Sequence, residues 1–288
     1  MKITMQNCNN KEYELLLDNL IQEVFDFSFV PWFQLELWDE RYESYSLIDH
    51  GEMLANVCIF KTDLIVAGKK LRVHQFGAIA TRKAYRRKGF ARLLIEHVIN
   101  KYPDVPAFLF ANSSVLNFYP RFGFKRIYEH QQNILLSSNN MITEKITINQ
   151  AVKLKIDAPM LHEFIENRNC FSLLLDCENT QPIQWFHLLL EYSENIYFLP
   201  KCNLIMIAKQ KNEKLFVADL IAKNSIDFDL LVQNIPFDGI KELEFGFCID
   251  ALDTKNNWHE LDNDDNPLFI YGNLKLPKNF RFPVMSIT

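Results

Sequence analysis

The stretch from Phe76 to Gly123 constrains this chain more than any other. Phe76-Gly77-Ala78-Ile79-Ala80-Thr81 is short and apolar and predicts a buried strand; residues 82–88 then bring five positive charges around Ala84 and Tyr85 before Gly89 interrupts them. From Ala91 onward, Leu93, Leu94, Ile95, Val98 and Ile99 recur at helical spacing until Tyr102-Pro103, where proline ends the pattern. The order is therefore strand, basic glycine turn, helix. A helix N-terminus leaves backbone N–H groups unpaired and carries about half a positive charge, so it receives phosphate. Gly89 removes a side chain there, Arg86, Arg87 and Lys88 add mobile cations, and small Ala91 lets the chain pass close to whatever the amides hold. A pyrophosphate fits such a turn, although a run of cations alone is more often a solvated face.

The residues downstream decide between the two. Phe108-Leu109-Phe110-Ala111 reads as a second buried strand, Asn112-Ser113-Ser114 caps a short helix, and Tyr119 ends that helix before Pro120. On these residues the chain resembles the GCN5-related N-acetyltransferase (GNAT) superfamily. Arg86-Arg87-Lys88-Gly89-Phe90-Ala91 matches its pyrophosphate signature, Arg/Gln-x-x-Gly-x-Gly/Ala. Asn112 followed by Phe118-Tyr119-Pro120-Arg121-Phe122-Gly123-Phe124 is similar to its Asn…(Leu/Phe)-Tyr-x-x-x-Gly-Phe segment. The resemblance covers roughly the first half of the chain.

The resemblance implies acetyl-CoA as co-substrate, no metal, and a primary amine on a small molecule or peptide as acceptor. It implies that backbone groups of Ile79, Ala80 and Thr81 bind the pantetheine arm and polarise the acetyl carbonyl. Arg86, Arg87, Lys88, Gly89, Phe90 and Ala91 would hold the pyrophosphate, Asn112 would contact the cofactor from the next strand, and Tyr119 would face its sulfur. Transfer by direct attack needs a neutral amine, stabilisation of the developing oxyanion and a proton for the departing thiolate. A thiol titrates near about 8.5 and a phenol near about 10, so Tyr119 can act as that acid without being ionised at neutral pH. The plainer role for Tyr119 is a core aromatic beside Phe118, Phe122 and Phe124. No motif marks the general base: His74, Glu36, Asp39, Glu40, Glu52, a water chain or a chain terminus all stay open, and His74 beside an apolar strand reads first as a structural residue. A donor with a longer acyl chain, or a non-catalytic CoA-ester-sensing protein that regulates a partner, are the alternative readings; an intact Tyr119 favours catalysis.

Upstream, Tyr13, Leu16, Leu17, Leu20, Ile21, Val24 and Phe25 follow helical spacing, and Phe27 to Trp38 is dense in aromatics around Pro31. In the superfamily this region roofs the acceptor site, so Phe29, Trp32, Phe33 and Trp38 either shape a substrate pocket or form core under a loop. Tyr45 to Asp49, Glu52 to Lys61 and Leu64 to Thr81 read as strands joined by turns at Asp49-His50-Gly51 and Ala67-Gly68-Lys69-Lys70. The expected fold class is α/β (α+β), a GNAT-like mixed twisted sheet flanked by helices.

At 288 residues the chain is long enough for two domains. The polar break at Ser137-Ser138-Asn139-Asn140 predicts a catalytic domain over 1–140 and a second over 141–288. The second half repeats the order of the first: a strand from Lys145 to Ile148, helices from Ala158 to Ile165 and Ser225 to Gln233, a hairpin from Asn203 to Ala222, and a strand from Lys241 to Ile249. It carries no glycine or arginine cluster between Ala222 and Asp227 and no Tyr-x-x-x-Gly-Phe run, which predicts a degenerate tandem copy. Tandem pairs of this kind occur in the superfamily, including the enhanced intracellular survival group of aminoglycoside acetyltransferases. Trp185 to Leu190, Leu268 to Tyr271 and Phe280 to Phe282 read as core and domain interface, and the second half as one wall of the acceptor cleft. Asp262, Asp264 and Asp265 form an acidic loop that reads as a solvated turn before it reads as an attractor for a cationic acceptor.

A net charge of -5 and a pI near 5.8 argue against general nucleic-acid affinity, and the basic cluster is local. An acidic chain suits a polyamine, an aminoglycoside or a lysine side chain as acceptor. Six cysteines without metal-ligand or disulfide spacing, no apolar leader and no apolar run approaching about twenty residues predict a cytoplasmic protein with no membrane partner.

Overall fold

A computed structural model describes residues 2–7, 10–136, 151–252, 257–263 and 265–288. The first half opens with β1 (Lys2–Gln6), α1 (Lys11–Phe25) and α2 (Val30–Phe33). Asn10 starts α1 by accepting the Tyr13 N–H at 3.1 Å. A meander follows, β2 (Tyr42–Asp49), β3 (Glu52–Val66) and β4 (Lys69–Thr81). Both of its hairpins place two consecutive residues at positive φ, His50-Gly51 and Ala67-Gly68, the backbone that matches strand twist in a two-residue turn. Then come α3 (Phe90–Lys101), β5 (Ala107–Phe110), β6 (Lys125–Ile127) and β7 (His130–Leu135).

The second half holds β8 (Val152–Lys153), α4 (Pro159–Glu166), β9 (Leu175–Glu178), α5 (Gln181–His187) and β10 (Ile196–Leu199). It continues with β11 (Leu204–Lys211), β12 (Lys214–Ala222), α6 (Phe228–Gln233), β13 (Glu242–Phe245), β14 (Asn257–Glu260) and β15 (Leu268–Tyr271). The helix expected from Ser225 starts only at Phe228, because Asp227 takes an extended conformation and accepts the Leu230 N–H as its cap. The apolar run from Trp185 continues the α5 helix, then widens into a π-helical turn over Leu188–Tyr192. The break at residues 137–140 and the strand expected from Lys145 to Ile148 lie outside the described residues.

β3 is buried along nearly its whole length because both faces are covered. Ala55, Val57 and Ile59 face Leu94, Ile95 and Val98 of α3, whereas Met53, Cys58 and Phe60 face Tyr13, Leu17, Leu20 and Ile21 of α1. Full burial of Leu17, Leu20 and Ile21 contributes about 1.5–3 kcal/mol each.

Two mixed sheets result, ordered β1-β2-β3-β4-β5-β15-β6 with β9 also on β3, and β14-β7-β13-β12-β11-β10-β8. Each holds one parallel pair joined through a helix: β4 with β5 through α3, and β12 with β13 through α6. The two halves trade strands: the second half gives β9 and β15 to the first sheet, and the first half gives β7 to the second. Beside β5 lies β15 from the end of the chain, and beside β13 lies β7 from the first half. Sheet membership therefore does not change at one point near residue 140: residues 130–135 belong to the second sheet and residues 268–271 to the first. The Leu268 to Tyr271 segment, read from sequence as interface core, is an internal strand of the first sheet.

Because Phe269 of β15 is buried against the first sheet's core, Phe269→Ala is expected to cost about 3–5 kcal/mol. It should lower the midpoint of one shared transition in urea, followed by tryptophan fluorescence and far-ultraviolet circular dichroism. Loss of the second sheet alone, with the first intact, would contradict the exchange.

Candidate active site

The site begins where β4 and β5 part. Their parallel pairing covers only His74–Phe76 against Ala107–Leu109, after which β4 runs on to Thr81 and β5 leaves towards Asn112. Beyond Phe76 the inner edge of β4 therefore faces open space. A bulge re-aims that edge: Cys58 pairs with Gly77 and Asn56 with Ala80, so β4 carries one residue more than β3 over this span. Ala78 sits at φ +47, a cost that a non-glycine residue bears only when its surroundings impose it. Asn56 imposes it, donating from Nδ2 to the Ala78 carbonyl at 3.1 Å. Asn56 Oδ1 accepts from Ser44 at 2.6 Å and Ser46 at 2.9 Å, and both hydroxyls meet that of Tyr13. In a trans peptide the N–H points opposite the C=O, so the Ile79 N–H points away from Asn56.

The basic turn closes one end. Arg87 at φ +63 and Gly89 at φ +84 bend the chain into α3, whose first turn has no side-chain cap. Its leading N–H groups are open to an anion. Glycine is required at 89 by its backbone angle; a Cβ there would meet nothing within 4 Å, so the space before the turn is clear. Arg82 is tied down by Glu23 and Glu52, and Arg86 donates to the Thr81 carbonyl at 3.3 Å.

Tyr119 approaches from the other side, held by edge-to-face contacts with Phe118 and Phe124 and a tilted contact with Phe269 at 5.8 Å. Burial pushes its phenol up to about 12, so it is a neutral donor across the physiological range. The Asn112 Oδ1 accepts the Ser114 N–H at 2.9 Å, fixing the turn that leads to it.

These parts line one cavity of about 910 Å³. It holds Ile79, Thr81, Arg86, Arg87, Gly89, Phe90, Ala91, Asn112 and Tyr119 from the expected set, with Phe29 and Trp32 at its far end. Four expected residues are not among those that line it. The Ala80 side chain packs under α1, on the opposite face of β4, and the role expected of Ala80 is one for its backbone. Lys88 turns out to lie over the Tyr85 ring at 4.6 Å. Trp38 is buried behind the cavity wall, stacked on Phe33 and donating to the Tyr42 carbonyl at 2.8 Å, and Phe33 lies behind the wall with it.

The sequence offered Trp185 to Leu190 as interface core and the second half as one wall of the cleft, without singling out the residues that complete the far end. Ile183 and Phe186 of α5 close it from the second half, and Trp32 Nε1 donates to the Pro182 carbonyl at 2.7 Å. Thr288 lines the cavity beside Gly77, where a Cβ would collide with it, and the Gln75 side chain binds the Ser286 carbonyl and the Thr288 N–H. These contacts join positions more than 100 residues apart, for which no local pattern exists.

None of the side chains considered as a base lines the cavity, whereas Thr288, the last residue of the sequence, does. Glu52 pairs with Arg82, and Asp39 accepts the Arg41 N–H. Asp262 and Asp265 of the acidic loop are exposed away from it, and Asp264 lies outside the described residues. His74 is buried against the Tyr102 ring, centroids 4.6 Å apart. In the second sheet, the corresponding gap after β12 and β13 is filled: the Val284 N–H bonds the Gly246 carbonyl at 2.8 Å, and its side chain takes the place of a Gly246 Cβ. Among the described residues no group of three or more His, Cys, Asp or Glu is placed to hold a metal, and no helix is long and apolar enough to cross a membrane.

A family model described as an acetyltransferase (GNAT) domain matches residues 6–127. No curated protein matches the sequence. In three dimensions the chain is similar to a conserved protein of unknown function from Enterococcus faecalis V583, at 12% identity and a TM-score of 0.61 over 94% of this chain and 72% of that one. It is similar to Eis1 from Mycobacterium abscessus, at 14% and 0.59 over 93% and 73%. A GCN5-related N-acetyltransferase from Kribbella flavida gives 11% and 0.55 over 93% and 71%. At these identities the likeness is one of fold, and it spans both sheets.

Burial pushes the His74 imidazole down to about 4, so the folded chain binds fewer protons there than the unfolded one. The stability this lends is complete above an unfolded pKa of about 6.5 and is lost as pH falls towards 4, at most about 3 kcal/mol. Urea midpoints should fall across that window, and His74→Phe should flatten the fall. An unchanged slope in the variant would contradict the assignment.

Proposed function

We propose that this chain, whose residues 6–127 match the model of an acetyltransferase (GNAT) domain, is an acetyl-CoA-dependent N-acetyltransferase that moves an acetyl group to a primary amine by direct attack. Enzymes of this family use acyl-CoA, and the bound thioester supplies the activated acetyl group. One observation carries the reading: the uncapped α3 turn, the free edge of β4, Tyr119 and an aromatic chamber all line a single cavity.

The cofactor's pyrophosphate lies against the first-turn N–H groups of α3, with Arg86 and Arg87 beside it. The pantetheine arm takes the place of the missing β5 partner along Ile79 to Thr81, and Asn112 contacts it from across the splay. With its direction set by Asn56, the Ile79 N–H is the donor aimed at the carbonyl oxygen as charge develops there. Tyr119 gives its proton to the departing sulfur and recovers one from the amine nitrogen. Catalysis belongs to the first domain, proposed as residues 1–140 and completed by β15. The second, proposed as residues 141–288, is a degenerate copy that walls the acceptor end through α5. The cytoplasmic location goes with the acetyl-CoA pool.

Arg87→Glu combined with Gly89→Asp sets two carboxylates against the pyrophosphate and is expected to abolish acetyl-CoA binding, followed by quenching of tryptophan fluorescence. Retained micromolar affinity would overturn the cofactor site. Tyr119→Phe is expected to leave that affinity nearly unchanged and to slow turnover by about ten- to ten-thousand-fold, measured as thiol release. Unchanged turnover would return Tyr119 to the role of a core aromatic.

A further inference from the structure

One cavity has to serve two substrates. Its basic end and the free edge of β4 receive the pyrophosphate and the pantetheine arm, as proposed above, and an acetyl group adds only a methyl beyond the thioester carbonyl. The space left for the amine is the far end, lined by Phe27, Phe29, Trp32, Tyr42, Ile183 and Phe186. The charged side chains among the described lining residues come from other elements: Arg86, Arg87 and Arg92 from the basic turn and α3, and Arg121 from the segment after Tyr119.

The far end is a chamber of rings. Phe27 lies 5.4 Å from Phe29 and 5.6 Å from Phe186, Phe29 lies 5.5 Å from Phe186, and Trp32 continues the wall at 6.0 Å from Phe29. The polar atoms of this wall are already bonded within it. Trp32 Nε1 donates to the Pro182 carbonyl at 2.7 Å, the Tyr42 hydroxyl bonds Cys58, and the Phe29 N–H donates to Asp18 at 2.6 Å. A hydroxyl set against these rings would give up its water without gaining a partner from them, whereas a methylene set there leaves water for apolar surface.

We infer that the acceptor is a primary amine borne on an apolar body, an alkyl chain or an arylalkyl group, and that this body is buried among Phe27, Phe29, Trp32 and Phe186. The inference rests on the acetyl transfer proposed above. It does not turn on charge at the nitrogen. Thr288 stands beside Gly77 on the β4 edge, and what it contributes to the reacting amine is common to all amines of one basicity. The body of the amine is what the ring chamber sorts.

The ammonium gives one proton to water before attack. The nitrogen lone pair forms the C–N bond, the C–S bond breaks with its electron pair leaving on sulfur, and the second proton ends on the thiol through the Tyr119 hydroxyl. The products are one N-alkyl acetamide, one free CoA thiol and the proton released to water.

The test is thiol release from acetyl-CoA by the intact chain with the linear amines from propylamine to hexylamine, and with 6-amino-1-hexanol and kanamycin. The linear amines share a pKa of about 10.4, as lysine has, so ionisation cancels along the series. The expected kcat/KM rises about fourfold per methylene from propylamine to hexylamine. It falls by about 10- to 100-fold from hexylamine to 6-amino-1-hexanol, and kanamycin stays below hexylamine by at least that factor. Phe186→Asp, which sets a carboxylate among the rings, should flatten the rise to less than about twofold per methylene, and Phe27→Ala should lower the rate with hexylamine. Acetyl-CoA affinity in both variants, expected within about threefold of the parent, separates a changed chamber from a misfolded chain. A flat series in the parent, or transfer to 6-amino-1-hexanol or kanamycin as fast as to hexylamine, overturns the inference and leaves acetyl transfer standing. Octanoyl-CoA binding at least about tenfold tighter than acetyl-CoA, with the gain lost in Phe186→Asp, would assign the chamber to the donor's chain and overturn it too. No binding of acetyl-CoA, or binding without transfer to any of these amines, removes the acetyl-transfer reading and this inference with it.

Discussion

Everything distinctive about this molecule follows from a parallel pairing that stops early. β4 and β5 share three register positions and then diverge, which leaves β4 with a free inner edge in the middle of a sheet. Unpaired backbone groups inside a protein are costly unless something meets them. Here the separation opens beside the uncapped N-terminus of α3, so an elongated ligand that is anionic at one end satisfies both vacancies. The Ala78 bulge belongs to the same device: a strained residue held by Asn56, fixed in turn by Ser44, Ser46 and Tyr13. A layer of small buried polar groups thus sets the direction of a backbone donor on the other side of the strand.

The second sheet shows what happens when that vacancy is closed from within. It repeats the antiparallel meander and the parallel crossover, but Val284 occupies the space beside Gly246, and no glycine turn leads into α6. The same C-terminal segment goes on past α5, where Thr180 meets Ser286 and His187 meets the Ile287 carbonyl, to end beside Gly77 in the first sheet. One stretch of chain therefore fills one cleft and trims the other. Together with the exchange of β7 and β15, it binds the two halves into a unit in which neither sheet is complete from its own residues.

Much of this was legible in the residues. The α3 helix and its basic turn, the hairpins at Gly51 and Gly68, and the Asn112 and Tyr119 segment are local, with spacing or turn chemistry that announces them. The destination of β15 was not legible, because Leu268 to Tyr271 is apolar in any setting and nothing local says which sheet it joins. Nor did the aromatic run from Phe27 to Trp38 say which rings face a cavity: Phe29 and Trp32 do, Trp38 does not, and the difference lies in how α5 packs on them from 150 residues away. Asn56 gave no signal, since its importance depends on an alanine at positive φ. Net charge describes no pocket either: the chain carries -5, while the charged side chains that line the cavity are arginines.

The central claim is that a chain with two related sheets keeps one cofactor cleft. Calorimetric titration of the intact chain with acetyl-CoA tests it most directly. The account predicts one molecule bound per chain. Two molecules per chain would mean that the gap beside Gly246 opens despite Val284, and none would mean that the splay between β4 and β5 is not a cofactor site.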